Sequence, residues 1–178
     1  QLLLEAGIER HQQGQFASAN LIYEKIRGLD PENPTVLQLS GVLATQVGQL
    51  DASIILLSKA ISLRPNYSEA FNHRGITYKK QGNLKDALAD YTKAIELCPK
   101  YADALYNRGI IFQEMDRIFE ALEDYNKSIF LNPNSISALN NRGLILLQLR
   151  RFKEALVDFS KIIKMDETNL EALNIRGS

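Results

Sequence analysis

The chain has 178 residues, 45% of them apolar and 24% charged, a balance that excludes disordered, collagen-like and membrane-embedded classes. Lys plus Arg and Asp plus Glu each total 21, so the formal net charge is zero and no global field attracts nucleic acid or an anionic membrane. The single cysteine, Cys98, excludes an intramolecular disulfide, and no apolar run nears the ~20 residues of a membrane helix; the expectation is a soluble, cytoplasmic protein.

Pro31, Pro65, Pro99 and Pro133 fall 34 residues apart, which invites a search for internal repeats. The same spacing aligns Gly7, Gly41, Gly75, Gly109, Gly143 and Gly177. Further along each unit stand Ala19, Ser53, Ala87, Ala121 and Ala155, then Tyr23, Leu57, Tyr91, Tyr125 and Phe159. The units run 1–33, 34–67, 68–101, 102–135 and 136–169, with a partial sixth at 170–178, and together form a single domain.

In chain order, unit one begins inside a first helix at Gln1. Its second helix shows Leu21-Ile22, and unit two shows Ile55-Leu56 at the same slot, on the side facing away from the core. An apolar patch there marks an interface, a homo-oligomeric one included; the alternative is that local geometry buries it. Unit three sets the pattern most plainly. A first helix is predicted from about Glu69 to Gln81, and Gly82-Asn83 make a turn. A second helix then carries Leu84, Ala87, Leu88, Tyr91, Ala94 and Ile95 on one stripe and stops before Pro99. Units three to five place Arg74, Arg108 and Arg142 before the repeat glycine, and Asp90, Asp124 and Asp158 on the second helix. Units one and two have Ala6 with Ile22 and Ser40 with Leu56 instead, so both members of the pair come and go together. A repeated ion pair is predicted, either inside a unit or from Asp90 to Arg108 of the next. The helix around Leu173 stops before a partner helix follows, which suggests a piece of a longer protein.

Period, residue types and offsets together resemble the tetratricopeptide repeat over the whole chain. The usual aromatic early in the first helix survives only as Phe71, and Glu167 replaces the last closing proline. The resemblance implies an all-α, right-handed α-solenoid of five helix-turn-helix units plus the first helix of a sixth, with first helices lining a concave groove. Two residues ahead of the glycine come His73, Asn107 and Asn141; one slot earlier come Asn72, Tyr106 and Asn140. Ile76, Ile110 and Leu144 supply an apolar floor. An amide both donates and accepts, so such a row can hold an extended peptide by its backbone. It is similar to the asparagine ladder of O-linked N-acetylglucosamine transferase repeats, although Leu39 and Glu5 interrupt it. The alternative is that the asparagines only solvate the surface. The carboxylate clamp of chaperone-binding relatives is not expected, since its asparagine slot holds Ile8, Val42, Ile76, Ile110 and Leu144.

Phosphate-loop, zinc-protease and paired-cysteine motifs are lacking, so neither catalysis nor a cofactor or metal is expected of these residues. His11 and His73 read as groove-facing hydrogen-bonding groups. The expected function is a non-catalytic module that binds a protein or peptide segment in its groove, with no nucleic acid or membrane partner. Gly41-Val42-Leu43, Gln46 and Gly48-Gln49 resemble the N-terminal repeats of bacterial O-linked N-acetylglucosamine transferase-like proteins. That resemblance implies a second possibility, the substrate-selecting arm of such an enzyme; a third is a self-associating scaffold.

Overall fold

The computed structural model describes residues 2–165. They form ten helices: α1 (Leu2–Gln12), α2 (Phe16–Leu29), α3 (Pro34–Gln46), α4 (Leu50–Leu63), α5 (Ser68–Lys80), α6 (Leu84–Leu97), α7 (Ala102–Glu114), α8 (Ile118–Leu131), α9 (Ile136–Gln148) and α10 (Phe152–Met165). No strand occurs among the described residues. The expected helix of residues 170–178 lies outside them.

Each unit is an antiparallel hairpin, and its boundaries follow from local chemistry. The first helix of each ends in a left-handed residue: Gly14, Gly48 and Gly82 at φ of 73°, 81° and 80°, then Asp116 and Arg150 at 58° and 57°. In unit three Gly82 N–H donates to Lys79 O and Asn83 N–H to Tyr78 O, both at 2.9 Å, which satisfies two end carbonyls of the helix. Units four and five keep these bonds with a side chain in the left-handed position, so Arg150→Gly is expected to stabilise the fold by about 0.5–1 kcal/mol. A lower urea midpoint for the variant would contradict this. The second helices stop because a residue before proline is driven out of the helical region: Arg64 and Cys98 sit at φ −136° with ψ 86° and 88°. Asn33 caps α3 by accepting the Val36 N–H at 3.2 Å, with Pro34 opening the helix.

The chain divides into two compact bodies, Gln1–Pro99 and Lys100–Ser178, where the repeat pattern suggested one domain. In the N-terminal body α1–α2, α3–α4 and α5–α6 are paired hairpins, with α2 on α3, α4 on α5, and α1, α3 and α5 in touch along one side. In the C-terminal body α7–α8 and α9–α10 pair, and α8 packs on α9. The aromatic slot abuts the glycine of its own unit: a Cβ on Gly75 or Gly109 would lie 2.7 Å from Tyr91 Cε1 or Tyr125 Cε1. Tyr23, Tyr91 and Tyr125 are fully buried, as is the whole row of alanine-slot residues.

Candidate functional site

Both sides of the hairpins carry sequence-predicted residues, and the two sides differ in chemistry. On the first-helix side of the N-terminal body two cavities lie next to each other. One, of about 380 Å³, is lined by Ile8, His11, Gln12, Gly14, Phe16, Tyr23, Leu39 and Gln46. The other, of about 200 Å³, is lined by Val42, Thr45, Gln46, His73, Ile76 and Lys80. Gln46 forms the wall between them. His73 and Ile76 thus line one surface hollow.

Asn72 does not. It is 3% exposed, and Gln38, at the same slot of α3, is 7% exposed. In α3 and α5 this slot is therefore interior. In the C-terminal body Tyr106, Asn107, Ile110, Asn140 and Asn141 are half-buried and Leu144 is exposed. Asn141 Nδ2 lies 3.4 Å from the Tyr125 hydroxyl and 3.5 Å from that of Tyr106, whose rings sit 5.9 Å apart. Its amide donor is therefore turned partly inward, toward phenols, and less is left to face a ligand.

One set of polar partners was overlooked in the sequence. The Tyr125 hydroxyl donates to Gln113 Oε1 at 2.9 Å. In unit one the Tyr23 hydroxyl lies 3.2 Å from His11 Nδ1, and His11 Nε2 lies 2.7 Å from Gln46 Oε1. Since Gln46 Oε1 can only accept, Nε2 donates and Nδ1 accepts the phenol proton. Burial pushes the Tyr23 phenol up to about 12, and pushes that of Tyr125 up as well, so each must be hydrogen-bonded as the neutral group. Unit five has Leu147 and Phe159 at these two slots and so loses hydroxyl and acceptor together. Units two and three do not follow it, with Thr45 beside Leu57 and Lys79 beside Tyr91, so the slots alone carried no clear signal.

The Arg–Asp pairs form within each unit. Arg74 Nε and Nη2 each reach an Asp90 oxygen at 2.8 Å, Arg108 grips Asp124 at 2.7 and 2.9 Å, and Arg142 grips Asp158 likewise. Free guanidinium nitrogens extend to the preceding second helix, Arg74 to Ser58 at 2.9 Å and Arg142 to Asn126 at 2.8 Å. The pairs therefore fix hairpin register and stacking, and they leave the first-helix hollows open.

The second-helix patch is half of what the sequence suggested. Leu21 and Ile55 are 68% and 70% exposed, whereas Ile22 and Leu56 are half-buried. Ile22 lies against Gly7, and Leu56 packs on the cluster of Leu37, Ala60 and Ala70, because these two take the slot that Asp90 fills in unit three. Exposed apolar side chains that the sequence reading passed over include Phe119 and Phe130 on α8. No described helix is long and apolar enough to cross a membrane, and no described group of His, Cys, Asp and Glu is arranged to hold a metal ion.

Comparison with known proteins agrees with this architecture. A family model described as "TPR repeat" matches residues 41–82 and 77–116, and one described as "Tetratricopeptide repeat" matches 102–135 and 136–169. No curated protein sequence matches. Among solved structures, MamA is similar at 27% identity and TM-score 0.77, over 93% of this chain and 96% of that one. PilF of Pseudomonas aeruginosa is similar at 19% identity and TM-score 0.90, over 98% of this chain and 79% of that one. YrrB, described as a TPR protein with an unusual peptide-binding site, is similar at 19% identity and TM-score 0.73, over 99% and 91%. With its period, its slots and its paired helices, the chain belongs to the tetratricopeptide repeat family of all-α solenoids.

Proposed function

We propose that this chain is a non-catalytic interaction module whose first-helix side binds an extended segment of a partner protein. The observation that carries the reading is the pair of adjoining hollows with an apolar floor, Ile8 and Leu39 in one and Val42 and Ile76 in the other, rimmed by His11, Gln46 and His73. Apolar floors take side chains while imidazole and amide groups hold backbone, the division of labour found in small-ligand and peptide sites. In the C-terminal body Asn107, Asn141, Ile110 and Leu144 are the corresponding groups. YrrB's peptide-binding site belongs to a protein alike in fold only, so the reading rests on the residues themselves.

Selection from a random displayed peptide library, using the whole chain as bait, tests it. Peptides enriched on the parent are expected to bind Asn107→Ala/Asn141→Ala at least about fivefold more weakly, each lost amide contact contributing about 0.5–1.5 kcal/mol. Unchanged affinity for every enriched peptide would remove the amides from the site.

A second reading, self-association, is favoured by one observation: Leu21 and Ile55 are exposed at the same slot of successive repeats. Its readout is a dilution-dependent signal at those two residues.

A further inference from the structure

Resting on the groove reading above, we propose that the N-terminal body is a two-pocket clamp for an acidic extended segment carrying an aromatic and an aliphatic side chain three residues apart. The first hollow is lined from α1, α2 and α3 and the second from α3 and α5, with Ile8, His11 and Gln12 in the one and Val42, Thr45 and Gln46 in the other at the same slots of successive repeats. Taking the repeat step as the separation of packed helices sets them about 8–10 Å apart. A polyproline-type chain advances about 3.1 Å per residue with three residues per turn, so side chains three apart project from one face about 9 Å apart. A β-strand presents the same face every second residue, about 6.6 Å apart, and fits less well.

Size and lining assign the occupants. A cavity of about 150 Å³ already accepts a benzene ring. By volume the 200 Å³ hollow would take a ring too; its lining by the branched side chains of Val42 and Ile76 is what suits it to a branched aliphatic chain. The 380 Å³ hollow suits a large aromatic. Its wall is itself aromatic, with the His11 ring edge-on to Phe16 at 5.8 Å and to Tyr23 at 5.9 Å, an arrangement a further ring can join. Gln12 and Gln46 at its rim can meet an indole N–H or a phenol.

Charge supplies the third term. Lys80 is the one Lys or Arg lining either hollow. Its Nζ donates to the Thr45 carbonyl at 3.3 Å, and no described carboxylate pairs with it. A ligand carboxylate beside the aliphatic residue would complement it.

The chain contains no tryptophan, so a tryptophan in the ligand is read without background. The probes are two blocked peptides of opposite polarity, built around Trp-Pro-Pro-Leu-Glu and Glu-Leu-Pro-Pro-Trp. Matched controls, Trp-Pro-Leu-Glu and Glu-Leu-Pro-Trp, shorten the spacing by one. At least one long probe is expected to bind with a blue shift of tryptophan emission and at least about tenfold more tightly than its control. Lys80→Glu should weaken that probe about fivefold, and a probe with Lys in place of its Glu should regain affinity on the variant. Equal binding of both spacings with a blue shift would overturn the clamp yet keep a groove that grips backbone. Absence of any shift, or indifference to Lys80→Glu, would overturn it too. The peptide selection tests Asn107 and Asn141 of the other body and reads the groove proposal separately.

Discussion

Replacing Arg74 by Leu is expected to destabilise the N-terminal body by about 3 kcal/mol, more than replacing Asp90 by Leu. The asymmetry comes from burial: the Arg74 side chain keeps 19% of its surface in water, the Asp90 side chain 8%. An orphaned guanidinium reaches solvent, while an orphaned carboxylate stays behind in the hairpin. Burial already pushes the Asp90 carboxyl above its ordinary range, and Arg74's hydrogen bonds and charge pull the other way; the same carboxylate pushes the Arg74 guanidinium up. With Arg74 gone, burial and the nearby Asp86 charge both push upward unopposed. The folded-state pKa of Asp90 then rises further above its unfolded value, so folding favours the protonated acid. The deficit is full at neutral pH and shrinks as pH falls into the carboxylate range. Unit two shows how the chain does without the pair, with Ser40 and Leu56 at the same slots. Arg74→Ser/Asp90→Leu is accordingly expected to recover part of the loss and not all of it, because the Ser40 hydroxyl at this slot is buried without a hydrogen-bond partner. Amide hydrogen exchange of α5 and α6 reads the effect locally, which suits a repeat array whose cooperativity can break down. A neutral Arg74→Leu, or a double variant worse than Arg74→Leu, would show that the pair does not hold the hairpin.

Two glycines in the same body should answer the same substitution with opposite signs. Gly28 lies in α2 with no heavy atom within 4 Å of an added Cβ, so Gly28→Ala is expected to stabilise by about 0.5–1 kcal/mol through helix propensity. Gly75 lies in α5 with Tyr91 Cε1 at 2.7 Å and Cδ1 at 2.9 Å from that Cβ. The Tyr91 ring is fully buried and has nowhere to swing, so the helices must part. Gly75→Ala is expected to cost about 1–3 kcal/mol despite its better propensity, and Gly75→Val more. Thermal unfolding of the two alanine variants beside the parent checks the pair. A stabilising Gly75→Ala would mean that the ring does not seal against the glycine.

The helical hairpins were legible because three slots recur at one period, and the same residues that mark them make the contact: glycine on one helix, ring on the other. The boundaries were legible for a local reason, proline after the second helix and Gly82-Asn83 after the first, whereas Asp116 and Arg150 take the left-handed place in units four and five with no glycine to mark it. The Arg–Asp partnership was legible as a pair, but its register was not, since the carboxylate of one unit is about as far along the chain from its own Arg as from the next. Only packing decides that. Asn72 was misplaced because exposure at its slot depends on how near the neighbouring first helix comes, which no single repeat encodes. Ile22 and Leu56 were half misplaced for the converse reason, as they fill the buried place that aspartate takes in later units. The hydroxyl cluster of Thr45, Ser53 and Thr77, with oxygens 2.7 to 3.1 Å apart, escaped notice because its members occupy three different slots in two repeats. The adjoining hollows escaped it for the same reason, being made by side chains from successive units.

The central claim is that ligands meet the first-helix side. Methyl-resolved NMR of the isoleucine, leucine and valine side chains, recorded while a library-selected peptide is titrated in, tests it most directly. The account predicts shifts at Ile8, Leu39, Val42 and Ile76, or at Ile110 and Leu144, with Leu21 and Ile55 unmoved. Shifts confined to Leu21 and Ile55, or shifts there on dilution alone with none on the first-helix side, would contradict it and favour self-association through α2 and α4.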